Sequence, residues 1–313
     1  MPRSVVTGGA GFIGSHLARS LVSRGDRVCV LDDFSAGERS TFDRDAVEFI
    51  QADIRQRDAV ARALDQADLV FHQAARVSVP SSIEDPSDCY QVNLNGTLNV
   101  LWAAEQAKVD RVVLASSAAV YGDARGPVAE DVPQRPISPY AASKLAMETA
   151  ALMYHNLYGL PVVCLRYFNV YGPGQRPNST YAAVIPAFIQ AMLAGEAPVI
   201  YGGGNQRRDF VHVDDVVRAN ELAAGCDDAV GQVLNISGGG AVTVNELADI
   251  LHGIIPDAPA PIYSPPREGD IYFSEAVLDR AESALGYRPE VGLEEGLRST
   301  VEWFRQSQAE RQN

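Results

Sequence analysis

The chain has 313 residues, 46% of them hydrophobic and 21% charged, with a formal net charge of −14 at pH 7. Such a chain can bury a large core, as one domain with a smaller lobe or as two domains. Its acidity argues against a nucleic-acid surface, which needs clustered Lys and Arg, but not against a phosphorylated small ligand held by a few local donors. Short β-branched runs alternate with longer helical patterns through the first half. Strands are predicted at SVVTG (4–8), RVCVLD (27–32), VEFIQAD (47–53), LVFHQAA (69–75), RVVLASS (111–117) and VVCLRYFNV (162–170). Between them, stretches such as SHLARSLVSRG and NLNGTLNVLWAAEQAKV carry apolar residues at helical spacing.

This rhythm predicts an α/β fold, a doubly wound parallel-sheet Rossmann fold with a smaller C-terminal lobe, whose ligands lie beyond the carboxyl ends of the strands. After residue 170 the chain becomes Gly- and Pro-rich, as in GPGQRPNS, GEAPVIYGGGN and DAPAPIYSPPREGD. The expected division is therefore a dinucleotide-binding domain over 1–170, completed by 209–237, and a ligand-binding lobe over 171–208 and 238–313. RQSQAERQN reads as a frayed polar tail. The four cysteines, Cys29, Cys89, Cys164 and Cys226, never pair as CxxC, so buried, reduced thiols are expected rather than metal ligands or disulfides. No apolar run approaches the ~18 to 20 residues of a membrane span, and the chain opens on a strand rather than a signal peptide. The expected location is cytoplasmic, with no membrane partner.

VVTGGAGFIGSHLA sets Gly8, Gly11 and Gly14 between a predicted strand and a predicted helix, with Phe12 and Ile13 inside the turn. Glycines permit the tight turn, a close backbone approach to a pyrophosphate and tight helix packing, while the helix N-terminus offers free N–H groups. A bare glycine pattern is weak evidence, but here the strand, the helix and a following acid agree. That acid is Asp32 in VLDDFSAG, where a carboxylate accepts the ribose hydroxyls of NAD and repels the 2′-phosphate of NADP. Asp33, Ser35, Ala36 and Gly37 follow it on the cofactor side. Asp53, ending the third strand, with Ile54 beside it, either meets the adenine edge or is a surface acid. Gln73, Ala74 and Ala75 end the fourth strand and offer backbone groups and small side chains to the cofactor.

SPYAASKLAMETAA carries Tyr140 and Lys144 four apart on a helical pattern, so both project from one face. A free tyrosine, with a pKa near ~10, is a poor base at neutral pH, but an adjacent ammonium and a nicotinamide cation both favour the phenolate. Ser117, at the end of the strand ending Ser-Ser, would share the reacting oxygen. Ser116 faces the other way by strand alternation and is assigned to the cofactor side.

With TGGAGFIG, VLDDFSAG, SSAAVYGD, SPYAASK, LRYFNVYGPGQRP, RRDFVHVDD and REGD in order, the chain resembles the extended short-chain dehydrogenase/reductase family, specifically the UDP-hexose 4-epimerase group. The resemblance covers essentially the whole chain. It implies NAD as cofactor, catalysis at sugar C4 by Ser117, Tyr140 and Lys144, and positions near the nicotinamide for Asn93 and Tyr167. It further implies that Asn169, Arg208 and Arg267 hold the UDP diphosphate, with Asp270 contacting the ribose or orienting its loop. Ser78, Ala183, Val184 and Tyr201 fall on the substrate side, the last three toward the uridine. In the group, a small residue at Ser274 admits N-acetyl sugars. The GPGQRP stretch, with Arg176, resembles UDP-glucuronate epimerases, whereas NSTYAAVIP does not. Helical stretches 95–108 and 141–158 pair into a homodimer interface in the family, and here carry Leu98, Leu101, Met147 and Leu152. These apolar residues fit core packing equally well.

The reaction classes differ after oxidation at C4. A 4,6-dehydratase needs carboxylates beside the triad serine, and a UDP-glucuronate decarboxylase a Glu in the same VYG motif. This chain has Ala118 and Ala119 there. The expected activity is 4-epimerisation of a UDP-hexose, with UDP-glucuronate epimerase, nucleotide-sugar dehydratase and a non-catalytic NAD-binding sensor as the alternatives.

Overall fold

The computed structural model describes residues 1–37, 46–175, 183–266 and 272–312, with side chains through residue 309. Six strands alternate with helices over the first half: β1 (Arg3–Thr7), β2 (Arg27–Asp32), β3 (Val47–Gln51), β4 (Leu69–His72), β5 (Arg111–Ser117) and β6 (Val162–Tyr167). Shorter strands follow: β7 (Asn169–Tyr171), β8 (Val199–Tyr201), β9 (Arg207–His212), β10 (Gln232–Ile236), β11 (Ala241–Thr243), β12 (Ile262–Ser264) and β13 (Phe273–Ser274). Seven of them form one parallel sheet in the order β10-β6-β5-β4-β1-β2-β3. The order reverses between β1 and β4, which opens a crevice at their carboxyl ends.

Strand alternation divides the core between two faces. Val6, Val30 and Phe71 pack with Leu17 and Leu21 of helix Phe12–Arg24 and with Val216 and Ala219 of helix Val213–Gly225. Val5, Leu31 and Val70 pack against Val60 and Leu64 of helix Arg57–Leu64, Val100 and Leu101 of helix Thr97–Ala107, and Met147 of helix Pro139–Tyr158. Both faces being covered explains the nearly continuous apolar runs of the strands. A third core, built on Phe188, Ile189, Phe210, Leu247, Leu251 and Phe304, lies under the C-terminal part of the chain.

Two predicted strands end early or split. The 69–75 run stops at His72, because Gln73, Ala74 and Ala75 leave the ladder into the crevice. The 162–170 run breaks at Phe168 into β6, in the large sheet, and β7, which pairs with β9 in a separate sheet with β11 and β13. Phe168 still donates its N–H to Ile236 O at 3.0 Å, so the break steers the chain from one sheet to the other without an orphaned donor. Leu101 and Met147, which by sequence fit core packing and a dimer interface equally well, are core residues at 0% and 1% exposure. Among the described residues, no helix is long and apolar enough to cross a membrane.

Candidate active site

The Gly-rich turn is fixed by its own backbone. Gly8 sits at φ +69°, and a Cβ there would lie 2.6 Å from the Ala74 backbone, so β1 and β4 touch where the strand order reverses. A Cβ on Gly14 would lie 2.2 Å from Gly8 O, which sets the approach of helix Phe12–Arg24 to the turn. Gly11 caps this helix without a side-chain bond, leaving its first-turn N–H groups, including those of Phe12 and Ile13, at the crevice. Asp32, 8% exposed, accepts the Ala10 N–H at 2.9 Å and the Phe34 N–H at 2.7 Å. Burial raises its pKa, and these two hydrogen bonds oppose the shift. Asp33 accepts both the N–H (2.9 Å) and the hydroxyl (2.6 Å) of Ser35, and Gly37, after Ala36, packs so tightly that a Cβ would fall 2.1 Å from Ala10 O. These residues fit a dinucleotide: the cradle is one that side chains would fill, and an acid stands at the end of β2.

Asp53 is held by Arg55 through Nε at 2.9 Å and Nη2 at 2.6 Å, and that guanidinium lowers its pKa. Ile54 is buried against Gly96. Asn93, 1% exposed, lies in a turn of π-helix, Gln91–Gly96. It accepts the Arg76 N–H at 2.7 Å and donates to Arg76 O at 3.0 Å and to Ser143 Oγ at 2.9 Å. Its amide ties the loop after β4 to the helix of Tyr140.

Ser117 ends β5, and its hydroxyl accepts the Ala119 N–H at 3.2 Å as the cap of the short 3₁₀ turn Ala118–Tyr121. Helix Pro139–Tyr158 starts at Ser138, whose side chain accepts the Ala141 N–H, and delivers the half-buried Tyr140 into hydrogen-bonding contact with Ser117. Burial pushes the Tyr140 phenol up, and the Ser117 bond pulls it back. One turn on, Lys144 is 4% exposed and donates from Nζ to Ala115 O at 2.7 Å; burial lowers its pKa to about 8. The hydroxyl of Ser116, expected on the cofactor side, donates to Glu148.

A cleft of about 660 Å³ runs from Ser117 and Tyr140 past Tyr167, Phe168 and Asn169 to Arg208, Phe273 and Ser274. Ala118 and Ala119 line it beside the serine. The Tyr167 hydroxyl lies within 3.2 Å of Gln73 Nε2 and accepts from Asn220 Nδ2 at 2.8 Å; burial pushes its pKa up to about 12. Asn169 donates to Asp209 O at 2.9 Å and to Ser274 Oγ at 3.1 Å, which joins two expected substrate residues. Ser78, expected on the substrate side, caps helix Val79–Glu84 by accepting the Ser81 N–H at 3.2 Å, and its neighbours Val79 and Pro80 line the cleft. Ala183 and Val184 begin helix Val184–Leu193, and Tyr201 ends β8; none of the three lines the cleft. Arg176, Arg267 and Asp270 lie outside the described residues.

A family model described as the NAD dependent epimerase/dehydratase family matches residues 4–237. The chain belongs to this family. It is 41% identical over 310 residues to a UDP-glucose 4-epimerase of Mycolicibacterium smegmatis, covering 97% of this chain and 98% of that one. A UDP-N-acetylglucosamine 4-epimerase from Methanobrevibacter ruminantium, solved with UDP-N-acetylmuramic acid, superposes with a TM-score of 0.94 at 38% identity, covering 98% of this chain and 99% of that one. A Thermus thermophilus UDP-glucose 4-epimerase, solved with NAD, superposes with a TM-score of 0.89 at 40% identity, covering 97% and 99%.

Three residues of this epimerase/dehydratase site escaped the sequence reading. Asn220 bonds Tyr167 from helix Val213–Gly225, and its isolated position in sequence gave no signal. Glu148 and Arg166 form a buried ion pair below the triad, with Nη2 to Oε2 at 2.7 Å. Here a signal existed, since Glu148 follows Lys144 at the same four-residue step by which Lys144 follows Tyr140.

Proposed function

We propose that this chain is an NAD-dependent 4-epimerase of UDP-hexoses, interconverting UDP-GlcNAc with UDP-GalNAc, UDP-Glc with UDP-Gal, or both pairs. The observation that carries the reading is Ser117 and Tyr140 on a cleft wall whose next residues are Ala118 and Ala119, with Lys144 buried one helical turn beyond Tyr140. Bound NAD would accept a hydride from sugar C4 and return it, so none is consumed over a cycle. Tyr140 would take the C4 hydroxyl proton and give it back, with Ser117 sharing that oxygen. The Lys144 ammonium favours the phenolate. Elimination of water would need an acid beside Ser117, where two methyl groups stand. Among the described residues, the acids lining the cleft are Glu84, which is exposed, and Glu275, which is paired with Arg207 at 3.5 Å.

Epimerisation requires the keto sugar to turn about its diphosphate linkage between oxidation and reduction. That asks for a firm hold on the nucleotide and a loose one on the sugar. Arg208 and Asn169, joined by Arg267 and Asp270, would supply the first. Val79, Ile83, Ala118, Ala124 and Ile137 give the cleft an apolar lining suited to the second. Ser274 leaves room for an N-acetyl group. Among the described residues, Arg208 is the one cation lining the cleft and Glu84 and Glu275 are its acids, a set that favours a neutral hexose over one with a C6 carboxylate.

The test is incubation with a panel of UDP-sugars, following C4 configuration by NMR and NADH by absorbance. Neutral UDP-hexoses should equilibrate with no net NADH, and UDP-glucuronate should react with a kcat/KM at least about tenfold lower, one misplaced charge being worth at least about 1.4 kcal/mol. A 4-keto-6-deoxy product would reject the reading.

We also propose a homodimer. Helix Pro139–Tyr158 presents Met153, Leu157 and Tyr158 outward at 36%, 69% and 58% exposure, and Tyr154 of this helix and Trp102 of helix Thr97–Ala107 both pack, partly buried, against the same core cluster. Light scattering should give twice the chain mass, and Leu157→Glu should shift it toward the monomer; a monomeric wild type would refute the dimer. The four thiols are free, which supports the cytoplasmic expectation.

A further inference from the structure

We propose that Glu148 and Arg166 are positioning residues for the Tyr140–Lys144 pair: their buried ion pair pins the catalytic helix to β5 and β6 and keeps a carboxylate one turn from the Lys144 ammonium. Both side chains are 3% exposed. Arg166 grips Glu148 through Nε at 2.9 Å and Nη2 at 2.7 Å, a two-point contact that fixes the carboxylate plane. Ser116, the strand partner of Arg166 and the neighbour of Ser117, donates to the same carboxylate. The guanidinium also donates to Tyr121 OH at 2.8 Å and lies 4.8 Å from that ring. Tyr121 in turn donates to Asn235 Oδ1 of β10 at 2.7 Å. Three successive turns of helix Pro139–Tyr158 are thereby tied to one strand end: Tyr140 to Ser117, Lys144 to Ala115 O, and Glu148 to Ser116.

The consequence is both mechanical and electrostatic. A helix that slid or rotated by a fraction of a turn would part Tyr140, in its first turn, from Ser117 at the strand end. The two-point ion pair, two turns further in, resists that motion. Lys144 is faced by Cys89 from helix Pro86–Tyr90, Glu148 from its own helix, Cys164 from β6 and His72 from β4. Burial pushes His72 down to about 3, so it is neutral at physiological pH. Cys89, Glu148 and Cys164 all favour the ammonium against its desolvation, and Glu148 is the carboxylate among them.

The pair is not required for burial as such, since apolar residues of similar volume replace buried ion pairs without loss of fold in other proteins. That separates positioning from mere packing. Two variants test it: Glu148→Gln, which keeps the shape and removes the charge, and the double variant Glu148→Leu/Arg166→Met, which leaves no unpaired guanidinium. The expected result for both is a kcat at least about tenfold lower with KM for the UDP-sugar within twofold, as befits loss of an interaction made in the transition state. For Glu148→Gln, the Lys144 titration, followed by NMR of ¹⁵N-labelled lysine in the NAD-loaded protein, should move to lower pH. The alkaline limb of the kcat profile should move with it. Arg166→Lys should retain more activity than Arg166→Met. The activity readouts rest on the epimerase reading, which wild-type turnover checks separately; the lysine titration does not depend on a substrate. A kcat within twofold of wild type in either folded variant, or a Lys144 titration unmoved in Glu148→Gln, would overturn the proposal.

Discussion

Replacing Tyr140 by Phe is expected to lower kcat by about 10²- to 10⁴-fold while leaving nucleotide binding intact, the range for removing a positioned acid–base group. The substitution deletes one oxygen and keeps the ring, so the cleft wall and helix Pro139–Tyr158 are undisturbed. What disappears is the group that moves the C4 proton. Burial alone would make that group a poor base, since it pushes the phenol above its ordinary pKa. The shift must be reversed by charge, and the structure supplies one at Lys144, anchored on Ala115 O at 2.7 Å one helical turn away. Because burial also brings Lys144 down to about 8, its charge is full below that pH and declines above it. Turnover measured by NMR, with binding of UDP and NAD by calorimetry, separates the two effects. A kcat within tenfold of wild type, with binding preserved, would remove Tyr140 from the chemistry.

The parts of the site that were legible in the sequence are those in which backbone geometry dictates residue type. Gly8 and Gly14 can be nothing larger, because a Cβ on either meets backbone atoms within 2.6 Å. Asp32 announces itself by ending a strand with a charge that the turn needs, accepting the N–H groups of Ala10 and Phe34. Tyr140 and Lys144 are a helical step apart. Illegible parts depend on which way a side chain turns. Strand alternation alone sends Ser116 away from Ser117, but only the register of β5 against β6 shows that it meets Glu148 and Arg166. The bonds by which the Asn93 amide joins Arg76 to Ser143 likewise depend on how the side chain turns. The single apolar run 162–170 hid a break because its two halves pair in two different sheets. Leu101 and Met147 show the same limit from the other side, since an amphipathic pattern gives the apolar face but not whether a sheet or a second chain covers it.

Gly14→Ala is expected to abolish tight cofactor retention and to destabilise the fold by about 1–3 kcal/mol, the usual range for an added methyl with no space to enter. The new Cβ would stand 2.2 Å from Gly8 O, 2.8 Å from Gly9 Cα and 2.9 Å from Gly8 C. These are backbone atoms and cannot rotate aside. Nor can the turn retreat: Gly8 donates to Leu31 O at 2.8 Å, Gly11 donates to Gly8 O at 3.1 Å, and Gly8 already rests on Ala74. Helix Phe12–Arg24 must therefore withdraw, carrying its free N–H groups away from the place where a pyrophosphate would sit. Losing one charge-assisted hydrogen bond there costs about 1.5–3 kcal/mol, or roughly 10- to 150-fold in affinity. The ratio of bound nucleotide to protein after purification, with NAD titration of stripped protein, measures this directly. Gly253→Ala is the control: it sits in helix Val244–Ile254 with nothing within 4 Å of the added Cβ, and should stabilise by about 0.5–1 kcal/mol. If Gly14→Ala retained NAD as wild type does, the turn would not be the pyrophosphate cradle, and the cofactor reading would have to move to another part of the crevice.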